Sequence, residues 1–329
     1  MSYRKILLVV DPSMQVTPAF RRAERLARAT GATLHLCLFD HSRAVRALTV
    51  VSAKVGEVLK SDLIKERELW LRKRVQSLRA AGVKVHAAVT WGTPVHQHVL
   101  DKVAEIQPDL VVKDMHLEPL LKRVLFTPLD WQLLRLCPAP LLMVRGGGRK
   151  PPRRIIAAVD TAHPLPGSDS LNDEIVRRAE ELALQCKATV DLVHCFEDLV
   201  PVAPAEVMSA EAFGDACEEL RQIHRKRFED FADTHDIHKA HRHFLYGPPA
   251  FSLTEFTDHP HGDVLVLGIT HRTGLDRLLI GSTAESILAD LRCDILAVKP
   301  SVPRKPSADA RKRAAVRAPR ENAEPLSLG

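Results

Sequence analysis

The chain repeats itself once, and no other feature constrains its architecture as much. Lys5-Ile6-Leu7-Leu8-Val9-Val10-Asp11 returns as Arg154-Ile155-Ile156-Ala157-Ala158-Val159-Asp160. Trp91-Gly92-Thr93-Pro94 returns as Tyr246-Gly247-Pro248-Pro249, and Asp109-Leu110-Val111-Val112 as Asp263-Val264-Leu265-Val266. Leu141-Leu142-Met143-Val144 returns as Ile295-Leu296-Ala297-Val298. The offset is 149 at the start and 154 at the end. A period this long excludes a solenoid and specifies two copies of one domain. Residues 1–146 form the first copy and 153–300 the second. The breaker-rich stretch 147–152 is the linker. From Ser301 the chain turns to Pro, Ala and Arg without a periodic apolar face, so 301–329 reads as a basic, mostly disordered tail.

Within each copy, short apolar runs alternate with amphipathic segments. Runs at 5–10, 33–39, 83–89, 109–113 and 140–144 predict buried strands. Helices are expected near 17–30, 57–81, 94–107 and 127–136. In the second copy strands are expected near 154–159, 188–194, 240–246, 263–267 and 294–298. Its helices fall near 168–187, 205–234, 248–258 and 282–291. Strand–helix alternation predicts parallel strands, because each return must cross a sheet face. The fold class is therefore α/β, with two tandem doubly wound, Rossmann-like, five-stranded parallel sheets. Ligands of such sheets sit beyond the carboxyl ends of the strands, where the strand order reverses. The residues to inspect follow strands one and four of each copy.

Composition removes several classes. Of 329 residues, 45% are hydrophobic and 27% charged, which excludes wholesale disorder. No apolar run reaches the ~18 residues of a membrane span. The apolar core at the N-terminus, Ile6–Val10, is shorter than the ~7 residues a signal core needs. Six cysteines show no CxxC, which suits reduced thiols and a cytoplasmic location. The net charge of +6 is concentrated in the tail, which has seven Lys and Arg against three Asp and Glu. The 300 residues before it are near neutral.

The chemistry gathers after the fourth strand of the second copy. Gly268, His271, Arg272, Gly274, Arg277, Gly281, Ser282 and Thr283 stand in one loop that leads into a helical pattern. Glycines let a backbone approach a phosphate, free N–H groups at a helix start attract negative charge, and the hydroxyls add donors. Asp160, ending strand one, faces the same cleft and can accept from a base or ribose. A second reading of the same residues needs no ligand. Ser282-Thr283-Ala284-Glu285 is also a capping box that marks a helix start, with Gly281 permitting the turn.

The loop resembles the signature of the universal stress protein family, Gly-x2-Gly-x9-Gly-Ser/Thr. Gly268 fits its first position and Gly281-Ser282 its last, while His271 stands where the second glycine belongs. Ala284-Glu285, Leu291-Arg292-Cys293 and Ile295–Val298 resemble the family's closing helix and strand, and the likeness extends over roughly residues 3–300. It implies the adenine-nucleotide alpha hydrolase-like form of the doubly wound fold and a stress-response binding or regulatory role. It also implies a candidate ATP site, with Mg, in the second copy only. The implied contacts are Asp160 on the adenine side and Gly268, Gly281, Ser282 and Thr283 around the phosphates. An imidazole at 271 takes up space where the backbone should pass close to the ligand; protonated, it can contact an anion itself.

The first copy keeps none of the signature glycines. At the constant offset, Asp114 stands opposite Gly268, Leu117 opposite His271, Thr127 opposite Gly281 and Pro128 opposite Ser282. Pro128 has no N–H to donate, and Asp114 repels phosphate. Thr127-Pro128-Leu129-Asp130 still reads as a good helix start. The first copy is thus expected not to bind ATP in the family manner and to serve as a pairing or sensing half. The two halves are expected to meet through their final strands, and a homodimer is an open possibility for the whole chain.

Other signals support weaker alternatives. His235, His238, His241 and His243 have ring types that suit zinc, though their spacing straddles a helix end and a strand; a solvated surface cluster is the other reading. Cys137 and Cys293 precede the final strands, where small buried residues are expected, and a redox role is the alternative. The tail can touch nucleic acid weakly or an anionic membrane surface, or simply solubilise. No catalytic constellation stands out, so no turnover is expected beyond slow hydrolysis of a bound nucleotide. The alternative to nucleotide binding is a scaffold or sensor for another small anion, a lipid-like ligand or zinc.

Overall fold

The computed structural model describes residues 3–118, 123–125, 127–145, 151–162, 168–197, 210–258, 264–269, 288, 291 and 293–300. The first half runs β1 (Lys5–Val10), α1 (Pro18–Thr30), β2 (Thr33–Asp40), α2 (Arg43–Val51), α3 (Ala53–Ala80), β3 (Val85–Trp91), α4 (Val95–Ile106), β4 (Leu110–Asp114), β5 (His116–Glu118), β6 (Arg123–Leu125), α5 (Pro128–Leu136) and β7 (Leu141–Val144). The second runs β8 (Arg154–Ala158), α6 (Ser168–Cys186), β9 (Thr189–Phe196), α7 (Ala210–Thr234), β10 (Arg242–Tyr246), α8 (Pro249–Thr257), β11 (Val264–Gly268) and β12 (Asp294–Val298).

Ten of these strands make one sheet in the order β10-β9-β8-β11-β12-β7-β4-β1-β2-β3. Every neighbour pair is parallel except β12–β7. Each half is thus a doubly wound unit whose strand order reverses between its first and fourth strands, at β1/β4 and β8/β11. Both faces are covered, which is why the strands read as continuous apolar runs. Ile6, Leu8 and Val10 enter the core shared with α1, α3, α6 and α7. Leu7 and Val9 enter the opposite core, with α4, α5 and α8.

The halves join through their final strands, antiparallel, with Leu296 opposite Leu142. A pseudo-twofold exchange of hydrogen bonds from cation to carbonyl reinforces the seam. The Arg145 guanidinium donates to Leu291 O at 2.9 Å, and the Lys299 ammonium to Cys137 O at 2.6 Å. Those residue pairs differ by the repeat offset of 154. Lys299 also donates to Arg135 O, so it satisfies carbonyls at the end of α5, where a cation is favoured. One interaction breaks the symmetry. Arg22 of α1 pairs with Asp294 at 2.9 Å, their side chains 3% and 6% exposed, and Asp294 accepts the Arg145 N–H as well. The counterpart of Asp294 in the first half is Pro140.

The structure corrects the sequence reading locally. The long helix begins at Ala53, not 57, and a separate helix, α2, precedes it. Ser42 and Ser52 cap the two helices by accepting from Val45 N–H and Val55 N–H. Arg46 and Thr49 interrupt the apolar residues of this stretch and only Val45 among them is buried, so no core-facing stripe marks the helix in the sequence. The third strand is 85–91 rather than 83–89, since Gly82 turns at φ +80° and Val83 lies in the connection. Between β4 and α5, β5 and β6 pair as an antiparallel hairpin that the sequence reading did not foresee. The linker residues 147–150, most of the helix expected at 282–291, and the tail lie outside the described residues.

Candidate functional site

In the second half, the strand-one end is held in place by three neighbouring elements. Asn172 of α6, itself buried, donates its amide to Asp160 O at 2.7 Å and accepts the Asp160 N–H at 3.2 Å. The Asp160 carboxylate accepts the Ala162 N–H at 3.1 Å, and Arg227 of α7 donates to Ala162 O. On β9, His194 Nδ1 lies 3.1 Å from Val159 O; a carbonyl only accepts, so this nitrogen carries the proton. Asp160 itself is exposed at the carboxyl edge. Asn172, His194 and Arg227 were missed in the sequence because nothing local links them to the strand end.

Gly268 closes β11 beside it. A Cβ there would sit 2.7 Å from Leu171 Cδ2 and 3.1 Å from Ile175 Cδ1. The bare backbone therefore lets α6 pack tightly against the strand end, one of the established uses of glycine at such a crossing. The other expected contacts of this cleft, His271, Gly281, Ser282 and Thr283, lie outside the described residues, as do Arg272 and Arg277.

The first half has rebuilt the equivalent positions with its own charges. Asp114, opposite Gly268 in the repeat, ends β4 and turns onto the start of α1. Its carboxylate accepts the Thr17 hydroxyl at 2.5 Å and the Ala19 N–H at 2.9 Å. Burial pushes its pKa above the usual 3.8, and Asp11 across the strand ends adds to the push. The start of α5 is satisfied in the same way. Asp130 accepts the Thr127 N–H at 2.7 Å and the Thr127 hydroxyl at 2.8 Å, completing a capping box. Its other oxygen meets Lys113 Nζ at 2.7 Å, with side chains 0% and 6% exposed. The second-half counterparts of Lys113 and Asp130 are Leu267 and Ala284. Helix starts that would attract an anion in this half already hold carboxylates of the chain itself.

The histidine cluster divides among local partners. His235 Nε2 is 2.9 Å from Asp173, and His241 Nδ1 is 2.7 Å from the buried Asp191. His243 Nε2 stands 3.7 Å from the same Asp191 oxygen, while His238 accepts the Ala240 N–H. Among the described residues, no group of three or more His, Cys, Asp or Glu is placed to hold a metal ion. Cys137 and Cys293 are buried thiols, and burial raises the Cys137 pKa, which favours the packing reading. No helix among the described residues is long and apolar enough to cross a membrane.

Comparison with known proteins fits this layout. The universal stress protein family model matches residues 2–145 and again 152–299. Universal stress protein E of Photorhabdus laumondii is 29% identical over 91% of this chain and 96% of its own length. Its Escherichia coli K12 namesake is 29% identical over 91% and 94%. Among solved structures, a functionally unknown protein from Pseudomonas aeruginosa PAO1 superposes with a TM-score of 0.71 at 26% identity, covering 91% of this chain and 93% of that one. A putative universal stress protein from P. aeruginosa UCBPP-PA14 gives 0.69 at 26% identity, covering 91% and 94%. With two family domains in tandem across residues 2–299, the chain belongs to the universal stress protein family.

Proposed function

We propose that the protein is a stress-response binding or regulatory protein with one ligand cleft, at β8/β11, and that an adenine nucleotide occupies it. The observation that carries this reading is the contrast between the halves. The first has both anion positions filled by Asp114 and Asp130, so its residues do not fit a nucleotide. The second has neither acid, and it holds an exposed Asp160 at the strand end on a braced loop. In the second half Asp160 would accept from the adenine or ribose side. Gly281, Ser282 and Thr283 would supply N–H and hydroxyl donors to the phosphates, with His271 beside them. A bound nucleotide supplies the phosphate charge that such donors recognise, with Mg²⁺ offsetting part of it. The role in this reading is binding.

One observation favours a second reading. Leu171 and Ile175 already use the space left by Gly268, so that glycine does not by itself indicate a phosphate. A smaller anion held by the same helix start is the alternative. The test is a calorimetric titration of the ligand-stripped full chain with ATP and Mg²⁺, beside Gly281→Asp. Micromolar binding that the variant loses supports the nucleotide reading. Heat with inorganic phosphate but none with millimolar ATP supports the smaller anion. Binding that survives Gly281→Asp, but is lost on Asp114 or Asp130 substitution, places the ligand in the first half and overturns the proposal.

A further inference from the structure

The helical pair α2–α3 of the first half is built to face outward. α2 turns one aliphatic side chain, Val45, into the core, at 6% exposure. Its remaining aliphatics and those opening α3 point away: Leu48, Val50, Val51, Val55, Val58 and Leu59 are all exposed. Gly56 shows that the two helices are locked in this pose. A Cβ there would lie 2.7 Å from Thr49 Cα, so the backbone of α2 crosses α3 where only glycine fits. The result is a rigid apolar corner that the core does not use.

The helix pair that carries this corner is basic along its length. Residues 43–79 hold ten Lys and Arg against four Asp and Glu, an excess of six. The chain as a whole also carries +6, so everything outside this pair sums to zero. The near-neutral body thus conceals a separated basic face. Asp40, from outside this stretch, offsets Arg67, whereas the Arg72–Glu68 pair is already within the count. Arg46 and Lys54, both exposed, flank the aliphatic tip and have no ion pair among the described residues.

We infer that the α2–α3 corner is a peripheral docking surface for an anionic lipid bilayer, with the aliphatic tip entering the interface and the basic rim meeting lipid phosphates. Shape, charge and composition together select this occupant. Val50 and Val51 are 87% and 84% exposed, so they project as a convex tip; side chains lining a groove for a partner helix would be largely covered. A second copy would bring two like-charged faces together. The tip has no aromatic ring on which a nucleic-acid base could stack. A cationic rim around exposed aliphatics is the composition that binds an anionic membrane surface without crossing it. The docking surface also gives a task to the half whose own cleft is closed.

The test is flotation of the full chain with vesicles of equal phosphatidylglycerol and phosphatidylcholine, beside vesicles of phosphatidylcholine alone. The expected result is preference for the anionic vesicles by about tenfold or more, weakening as salt rises. Val50→Asp/Val51→Asp and Arg46→Glu/Lys54→Glu should each lower it by about tenfold while melting as the parent does, since all four positions are exposed. Removal of 301–329 should leave the part that depends on the α2–α3 corner intact. The inference is overturned if the parent ignores anionic vesicles, if the valine variant binds as well as the parent, or if removing the tail alone abolishes binding. It is equally overturned if light scattering shows a dimer that Val50→Asp/Val51→Asp dissolves, with no vesicle binding.

Discussion

Replacing Lys113 with leucine, the residue at its second-half counterpart, tests whether the first cleft is closed by a buried ion pair. Lys113 and Asp130 are 6% and 0% exposed and 2.7 Å apart. Lys113→Leu strands a fully buried carboxylate, leaving it only the Thr127 N–H and hydroxyl as donors. Removing one member of a buried pair costs about 3–5 kcal/mol. Lys113→Leu/Asp130→Ala copies the Leu267 and Ala284 of the other half. It removes both desolvated charges and forfeits mainly the capping box, worth about 1 kcal/mol. The double variant should therefore be more stable than Lys113→Leu alone, by roughly 2 kcal/mol or more. Urea unfolding of the full chain, with Asp130→Ala completing the cycle, measures this directly. Single variants that each lose under about 1 kcal/mol, or a double variant showing the simple sum of the singles, would refute a buried, coupled pair. The double variant should still bind no nucleotide in this half, because Asp114 continues to cap α1.

Three further outcomes follow from the described contacts. Gly268→Ala must displace Leu171 and Ile175 and should cost about 1–3 kcal/mol in denaturant unfolding, ligand present or not; a neutral result would return this glycine to a role in ligand approach. Arg22→Met leaves Asp294 buried at the seam and should cost about 3–5 kcal/mol, with Arg22→Met/Asp294→Asn recovering much of that loss in the same assay. The pH dependence of Asp114 has a defined sign. Its folded pKa is raised above 3.8 by burial, so the folded state keeps the proton where the unfolded chain has lost it. Its contribution to stability is present at low pH and is lost as pH rises through the raised value. Asp114→Asn, which stays neutral, should therefore compare more favourably with the parent at pH 7 than at pH 4.5; the reverse order in paired unfolding curves would show that Thr17 and Ala19 outweigh burial.

The repeat, the strand–helix alternation and the turn chemistry were readable because each is local in the chain. Leu7 and Ile6 announce a strand covered on both faces, and Thr127-Pro128-Leu129-Asp130 announces a capped helix start wherever it is placed. The loss of the signature glycines from the first copy was equally visible. What fills their place was not. Asp114 caps a helix that begins almost a hundred residues earlier, and Lys113 finds Asp130 across the hairpin of β5 and β6. The near-neutral charge of the body was correct as a sum, yet the basic face of α2–α3 emerged only when the acids that balance it fell elsewhere. The sequence by itself determined two doubly wound copies and which of them kept two of the signature glycines, since propensity and periodicity act over a few turns of chain. Only the tertiary structure decided that Gly268 serves Leu171, that Arg145 and Lys299 cap each other's halves, and that six aliphatic side chains face outward, because burial and electrostatics depend on neighbours brought together from distant parts of the chain.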